Sequence, residues 1–213
     1  MTIRSPMSAL DFERLRQVPL TTEPFSFVIV PGFIRGEALA AIHRDYPQVS
    51  RAGSFPVSTL RYGPAFAAVV EELQSPAMRH AIEEKFGIAL DGRPTMVTVR
   101  GRCRARDGAI HTDSLTKIIT VLIYMNGGWE ARGGRLRLLR SATDLDDFIA
   151  EIPPVEGTLL AFKRSDNSYH GHKPFEGERR AIQLNWVTHE SVVRKELSRH
   201  RLSAWVKMLN PFA

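Results

Sequence analysis

One cysteine, Cys103, stands in 213 residues, so no disulfide can close within the chain and a reducing compartment is its natural setting. No uninterrupted apolar run approaches the ~18–20 residues that a membrane span needs. The opening MTIRSPMSALDFERLRQ lacks the apolar stretch of a secretory signal, which makes a cytoplasmic protein the expectation. Internal repeats, low-complexity tracts and linker-like segments are also missing, and one domain spanning 1–213 is expected. Nor is there a block of one charge. Lys and Arg number 29 against 23 Asp and Glu, a net +6, but the basic residues are spread from Arg35 to Arg201. Such scatter reads as a solvated surface rather than as a footprint for nucleic acid or membrane.

What is present suffices for a core: 43% of the residues are hydrophobic. Residues 1–94 read as mainly helical. A polar leader carries a short helix near Leu10–Arg16, and a β-rich stretch, Ser26–Val30, stops at Pro31-Gly32. Helices are expected over Glu37–Tyr46, with Gly36 as N-cap, and over Pro64–Gln74 and Pro76–Phe86, each opening on proline. From Thr95 the texture changes to short strands between turn signals: Thr95–Arg100, Lys117–Met125, Arg135–Leu139, Thr158–Phe162 and Arg180–Val187. A final helix is expected over Ser191–Met208, within 189–213. The architecture predicted is an antiparallel β-sandwich core, 95–188, with helices packed on its outside.

Among these strands, His111-Thr112-Asp113 offers an imidazole and a carboxylate two residues apart, which a strand would present on one face. Later, His170 and His172 both qualify by type as a third metal ligand. In the last strand Arg179, Ala181, Gln183 and Asn185 share one face, and Arg180, Ile182, Leu184 and Trp186 the other. A sheet face that is polar and headed by arginine suits a site better than a core, and Arg179 could fork onto a carboxylate. By the same parity Ile118, Thr120, Leu122 and Tyr124 share a face, which sets the Tyr124 hydroxyl where it could help. Arg100, Arg102 and Arg104 alternate before His111. A charged edge strand accounts for them; an anionic substrate at the barrel mouth is the other reading.

The run His111-Thr-Asp113, Ile119-Thr-Val-Leu-Ile-Tyr124-Met-Asn, Gly133-Gly134-Arg-Leu-Arg-Leu, Gly157-Thr-Leu-Leu-Ala-Phe, Asn167-Ser-Tyr-His170 and Arg179-Arg-Ala-Ile resembles the Fe(II)/2-oxoglutarate oxygenase superfamily. The likeness extends roughly from His111 to Val187 and is greatest to the prolyl-4-hydroxylase-like branch. It implies a double-stranded β-helix (jelly roll) buttressed by N-terminal helices. It also implies Fe(II) held by His111, Asp113 and His170, and 2-oxoglutarate gripped by Arg179 with Tyr124 assisting. Arg179 lies nine residues beyond His170, as in the family, and seven beyond His172, which is left for a supporting or substrate-facing role.

Asn185 stands where relatives often carry a bulky aromatic, and no arginine follows Arg179 at six residues, which sets the chain apart from the nucleic-acid demethylase branch. Asp113 stands where halogenating relatives have a small residue, so the implied reaction is hydroxylation of a small-molecule or peptidyl substrate. Two other readings accompany it, a non-catalytic iron/2-oxoglutarate-binding sensor and a cupin-like metal-binding protein.

Overall fold

Short signals near the N-terminus set the first elements of the computed structural model, which describes residues 8–195 together with 197 and 198. Asp11 caps α1 (Phe12–Gln17), its carboxylate accepting from the Arg14 amide at 3.1 Å. Strand β1 (Phe27–Val30) follows, then α2 (Gly36–Asp45), β2 (Phe55–Pro56), α3 (Pro64–Leu73) and α4 (Pro76–Phe86). Proline opens both α3 and α4, where its missing N–H costs nothing. Gly36 lies inside α2; the N-cap is Arg35, with no side-chain bond, so the expected glycine cap is corrected by one residue. The leader is not a polar arm either. Leu10 and Leu15 are fully buried, and the Ala9 and Leu10 amides donate to the Glu72 carboxylate of α3.

The remaining strands are β3 (Thr95–Cys103), β4 (Lys117–Tyr124), β5 (Leu136–Leu139), β6 (Phe148–Ile152), β7 (Leu159–Lys163), β8 (His170–Gly171) and β9 (Gly177–Val187). They form a six-stranded sheet, ordered β1-β7-β4-β9-β3-β2, and a three-stranded sheet, β6-β5-β8, with every pair of these strands antiparallel. β1, β3, β4, β5, β7 and β9 were expected from the sequence; β2, β6 and β8 were not. A helix begins at residue 190 as expected, but most of Ser191–Met208 lies outside the described residues. No helix among the described residues is long and apolar enough to cross a membrane.

Alternation along the strands divides the molecule into two cores. Ile119, Val121 and Ile123 of β4 join Ile182, Leu184 and Trp186 of β9 against buried helix residues such as Phe66, Leu73 and Ile82. The opposite face of the large sheet looks at the small sheet. There Tyr124, Leu160, Phe162 and Ala181 meet Leu136, Leu138 and Ile152 in a smaller apolar cluster. Apolar packing fills only part of this inner space, and the rest is polar.

Leu184 is 1% exposed on the helix-facing side, while its neighbours Gln183 and Asn185 face inward. Leu184→Ala should therefore destabilise the fold by ~2–5 kcal/mol in a urea titration. Because the change opens a cavity on the far side of the sheet, the affinity for added divalent metal should stay unchanged; a parallel loss would mean that the two faces are not independent.

Candidate active site

Backbone pairing fixes the two histidines. His170 sits in β8 opposite Leu138 of β5, and on its other side it exchanges both backbone hydrogen bonds with His111, at 2.9 and 3.0 Å. A pair of that kind puts both side chains on one face, and the two imidazole centroids lie 4.3 Å apart. His111 is a single bridge residue and Thr112 to Ser114 are not in a strand. The strand expected to align His111 with Asp113 is thus absent; long-range partners hold Asp113 instead.

Those partners come from β4. Lys117 Nζ donates to Asp113 Oδ1 at 2.6 Å, and the Thr120 hydroxyl donates to Oδ2. Behind Thr120, Asn185 donates its amide to the Thr120 oxygen at 2.6 Å, and Gln183 donates to Asn185 at 2.8 Å. Because the carboxylate only accepts, this chain of donors runs one way, toward Asp113. Burial alone would raise the pKa of Asp113; the charge of Lys117 and the bonds from Lys117 and Thr120 help outweigh it and hold the group below the usual carboxylate value. The sequence reading missed this network, and the only signal for it was the shared parity of Thr120, Gln183 and Asn185 on two strands.

Each imidazole is set in one tautomer. His111 Nδ1 lies 2.8 Å from the Ala109 carbonyl, and His170 Nδ1 lies 3.0 Å from that of Ser168. A carbonyl accepts only, so Nδ1 carries the proton and Nε2 presents its lone pair. Burial, with His111 close by, pushes His170 down to about 4, which keeps it neutral at physiological pH. His111, Asp113 and His170 each offer one ligand atom, and these atoms lie within 4.8 Å of one another. Asp113 and His170 are buried, while His111 is exposed on the open side. Two imidazole nitrogens and one carboxylate are a donor set suited to Fe(II) with free positions. Each oxygen of Asp113 has two lone pairs and keeps one beyond its present bond.

The cavity beside this cluster has a volume of about 490 Å³ and is walled by Leu122, Leu136 and Phe162 as well as by polar groups. Arg179 lines it, with its Nε pinned at 2.7 Å to the carbonyl of Gly134, a residue whose φ of 74° suits glycine. The Arg179 guanidinium stands 5.4 Å from the Tyr124 ring centre. Its Nη2 and the Tyr124 hydroxyl are both buried without a hydrogen-bond partner among the described residues. Two orphaned donors at such close quarters are costly unless an acceptor joins them. Burial raises the Tyr124 hydroxyl, against the opposing charge of Arg179, so it remains a donor.

His172 also lines the cavity but lies outside the three-ligand cluster. Its Nδ1 donates to the Lys173 carbonyl at 2.9 Å and its Nε2 is 3.7 Å from Cys103 Sγ. Burial, then Arg179, lowers its pKa. The arginine triplet divides. β3 lies inside the large sheet next to the two-residue strand β2, and a bulge between Arg100 and Arg102 breaks their alternation. Arg100 and Arg104 line the cavity, while Arg102 is exposed. The charged edge expected for this segment is therefore replaced by an arginine facing inward.

Residues 102–188 match the family model of the 2OG-Fe(II) oxygenase superfamily. Comparison with curated protein sequences gives no match. Among solved structures, the fold is similar to a Pseudomonas putida prolyl-4-hydroxylase, with a TM-score of 0.54 and 18% identity over 89% of this chain and 97% of that one. It is similar to the viral collagen prolyl hydroxylase of Paramecium Bursaria Chlorella virus-1, with a TM-score of 0.53 and 15% identity over 76% and 96% of the two chains. It is also similar to HygX from Streptomyces hygroscopicus, solved with nickel and 2-oxoglutarate bound, with a TM-score of 0.54 and 11% identity over 77% and 82%. Residues 102–188 are thus similar to the 2OG-Fe(II) oxygenase superfamily, and the chain carries the fold of the prolyl-4-hydroxylase-like structures.

Proposed function

We propose that this protein is an Fe(II)- and 2-oxoglutarate-dependent dioxygenase that hydroxylates a small-molecule or peptidyl substrate. The observation that carries the reading is the pair of orphaned donors, Arg179 Nη2 and the Tyr124 hydroxyl, buried beside the cavity that His111, Asp113 and His170 also line. A metal site alone would fit many jelly rolls. A metal site with two such donors next to it fits a bidentate keto acid whose far carboxylate needs a partner. In this reading the helical part, 1–94, and the core, 95–188, act as one catalytic domain.

His111 and His170 would give their Nε2 lone pairs and Asp113 one oxygen, and Arg179 with Tyr124 would take the remote carboxylate of 2-oxoglutarate. When bound, the metal and co-substrate supply oxygen activation coupled to decarboxylation of 2-oxoglutarate to succinate. The chain's own share is positional. The carbonyls of Ala109 and Ser168 hold the two tautomers. Thr120 and Lys117 keep Asp113 ionised and aimed. Phe162, whose ring centre is 4.9 Å from that of His170, shields the ligand from water on the buried side. The exposed side of His111 leaves the way in for substrate.

Anaerobic addition of Fe(II) and then 2-oxoglutarate should produce a visible iron-to-keto-acid charge-transfer band. Asp113→Ala and His170→Ala should abolish it, and Arg179→Gln should shift its onset to higher 2-oxoglutarate, by about 10-fold or more. Iron binding without a band would mean a metal-binding jelly roll that does not use 2-oxoglutarate, and full activity of His170→Ala with loss in His172→Ala would move the third ligand.

The donor chain behind Asp113 generates a separate expectation. Thr120→Val removes the bond to Oδ2 and strands the Asn185 amide, and divalent affinity should fall ~10–100-fold while circular dichroism stays native. Calorimetry with Co(II) measures it; unchanged affinity would show that Lys117 alone orients the carboxylate.

A further inference from the structure

The cavity holds more positive charge than the proposed co-substrate uses. Arg179 and Tyr124 account for one carboxylate. Arg104 is paired with Asp107 at 3.2 Å, and Lys117 with Asp113. Arg106 also lines the cavity but is exposed, and half-buried Arg100 is left over. Its side chain lines the cavity and makes no hydrogen bond and no ion pair with any described residue. Burial, and the nearby charge of Arg179, disfavour its protonated form. A guanidinium in this position destabilises the empty protein, since a part-buried charge without a partner is costly and a second cation beside it more so.

The fold nevertheless fixes Arg100 firmly. It pairs with Ala181 of β9 and shares the inner face with Thr98, which is opposite Gln183. Its carbonyl accepts the Tyr46 hydroxyl at 3.0 Å, and the same hydroxyl reaches the Ala181 carbonyl at 3.2 Å, stapling both strands. The residue after it, Gly101, sits at the bulge, where a Cβ would collide with the Val49 carbonyl. A bulge at that point turns the exposed end of β3 away while Arg100 keeps facing the cavity. A volume of about 490 Å³ leaves room for a second small molecule beside a five-carbon diacid.

We infer that Arg100 is the anchor for an acidic group, carboxylate or phosphate, on the primary substrate. The inference rests on the oxygenase reading above and adds a substrate class to it. The planar fork of Arg100 would accept two oxygens of the anion, which relieves its repulsion with Arg179 and ties the substrate to the strand that borders the co-substrate.

The test uses full-length protein loaded with Ni(II) and saturated with 2-oxoglutarate, titrated calorimetrically with inorganic phosphate and, separately, with N-acetylglycine. Wild type should bind at least one of them without displacing 2-oxoglutarate, and the probe that binds identifies the acid. Arg100→Gln should weaken that binding ~10-fold or more and leave the Kd of 2-oxoglutarate within about twofold. Arg100→Lys, which keeps the charge but not the fork, should fall between. The thermal midpoint of metal-free Arg100→Gln should equal or exceed that of wild type, an outcome opposite to that of a merely structural arginine.

The inference is overturned if neither probe binds wild type, if Arg100→Gln leaves probe binding intact, or if it weakens 2-oxoglutarate as much as Arg179→Gln does, since both arginines would then grip the co-substrate. Failure of wild type to bind Ni(II) or 2-oxoglutarate would instead remove the oxygenase reading itself, and this inference with it.

Discussion

Ionised Asp113 in the space between two sheets is the constraint from which the interior follows. A carboxylate taken out of water costs several kcal/mol unless donors replace its hydration. Here the donors are a lysine and a threonine from β4, and the threonine's own oxygen is filled by Asn185 of β9. This requirement explains why the inner face of two central strands is polar when the outer face of the same strands is almost wholly apolar. It also revises the meaning of Asn185. By size alone, a small polar residue there would enlarge a pocket. In the structure it is fully buried and bonded on both sides, so its size matters less than its ability to accept from one neighbour and donate to the next.

A second tension lies at Arg179, Tyr124 and Arg100. Two buried donors have no acceptor among the described residues, and two guanidiniums that line the cavity stand close together. Apolar side chains of similar size would give a more stable empty protein. Strand pairing, the Gly134 carbonyl and the Tyr46 staple hold these groups in place regardless. A fold that keeps unfavourable groups fixed in the ligand-free state is preorganised for anions, and the electrostatic cost then returns as binding energy.

Much of this was legible in the sequence because strand parity is a local property. Arg179, Gln183 and Asn185 could be placed on one face, and Ile182, Leu184 and Trp186 on the other, by counting in twos. The helices that open on Pro64 and Pro76 were legible for an equally local reason. β8 was not, since two residues carry no periodicity, and β6 was not, since Phe148-Ile-Ala-Glu-Ile follows an aspartate-rich turn and pairs only along one side. The bulge at Gly101 was hidden as well. It depends on the approach of Val49, which is distant in sequence, and so the three alternating arginines looked equivalent when Arg100 is half-buried and Arg102 and Arg104 are exposed.

The same distinction accounts for three residues that cluster in space through a local picture other than the one expected. His111-x-Asp113 suggested one strand presenting both side chains, yet only His111 is paired, and it is paired with His170. The two histidines are therefore set by a single cross-strand pair between segments nearly sixty residues apart, while the aspartate is set by side chains of β4. The spacing of the two histidines depends on the small sheet staying docked, and the direction of the carboxylate depends on the large one, so relative movement of the sheets would separate the proposed ligands without altering any of them. The apolar cluster of Tyr124, Phe162, Leu136 and Leu138 between the sheets is then as much a part of the proposed site's geometry as its three candidate ligands.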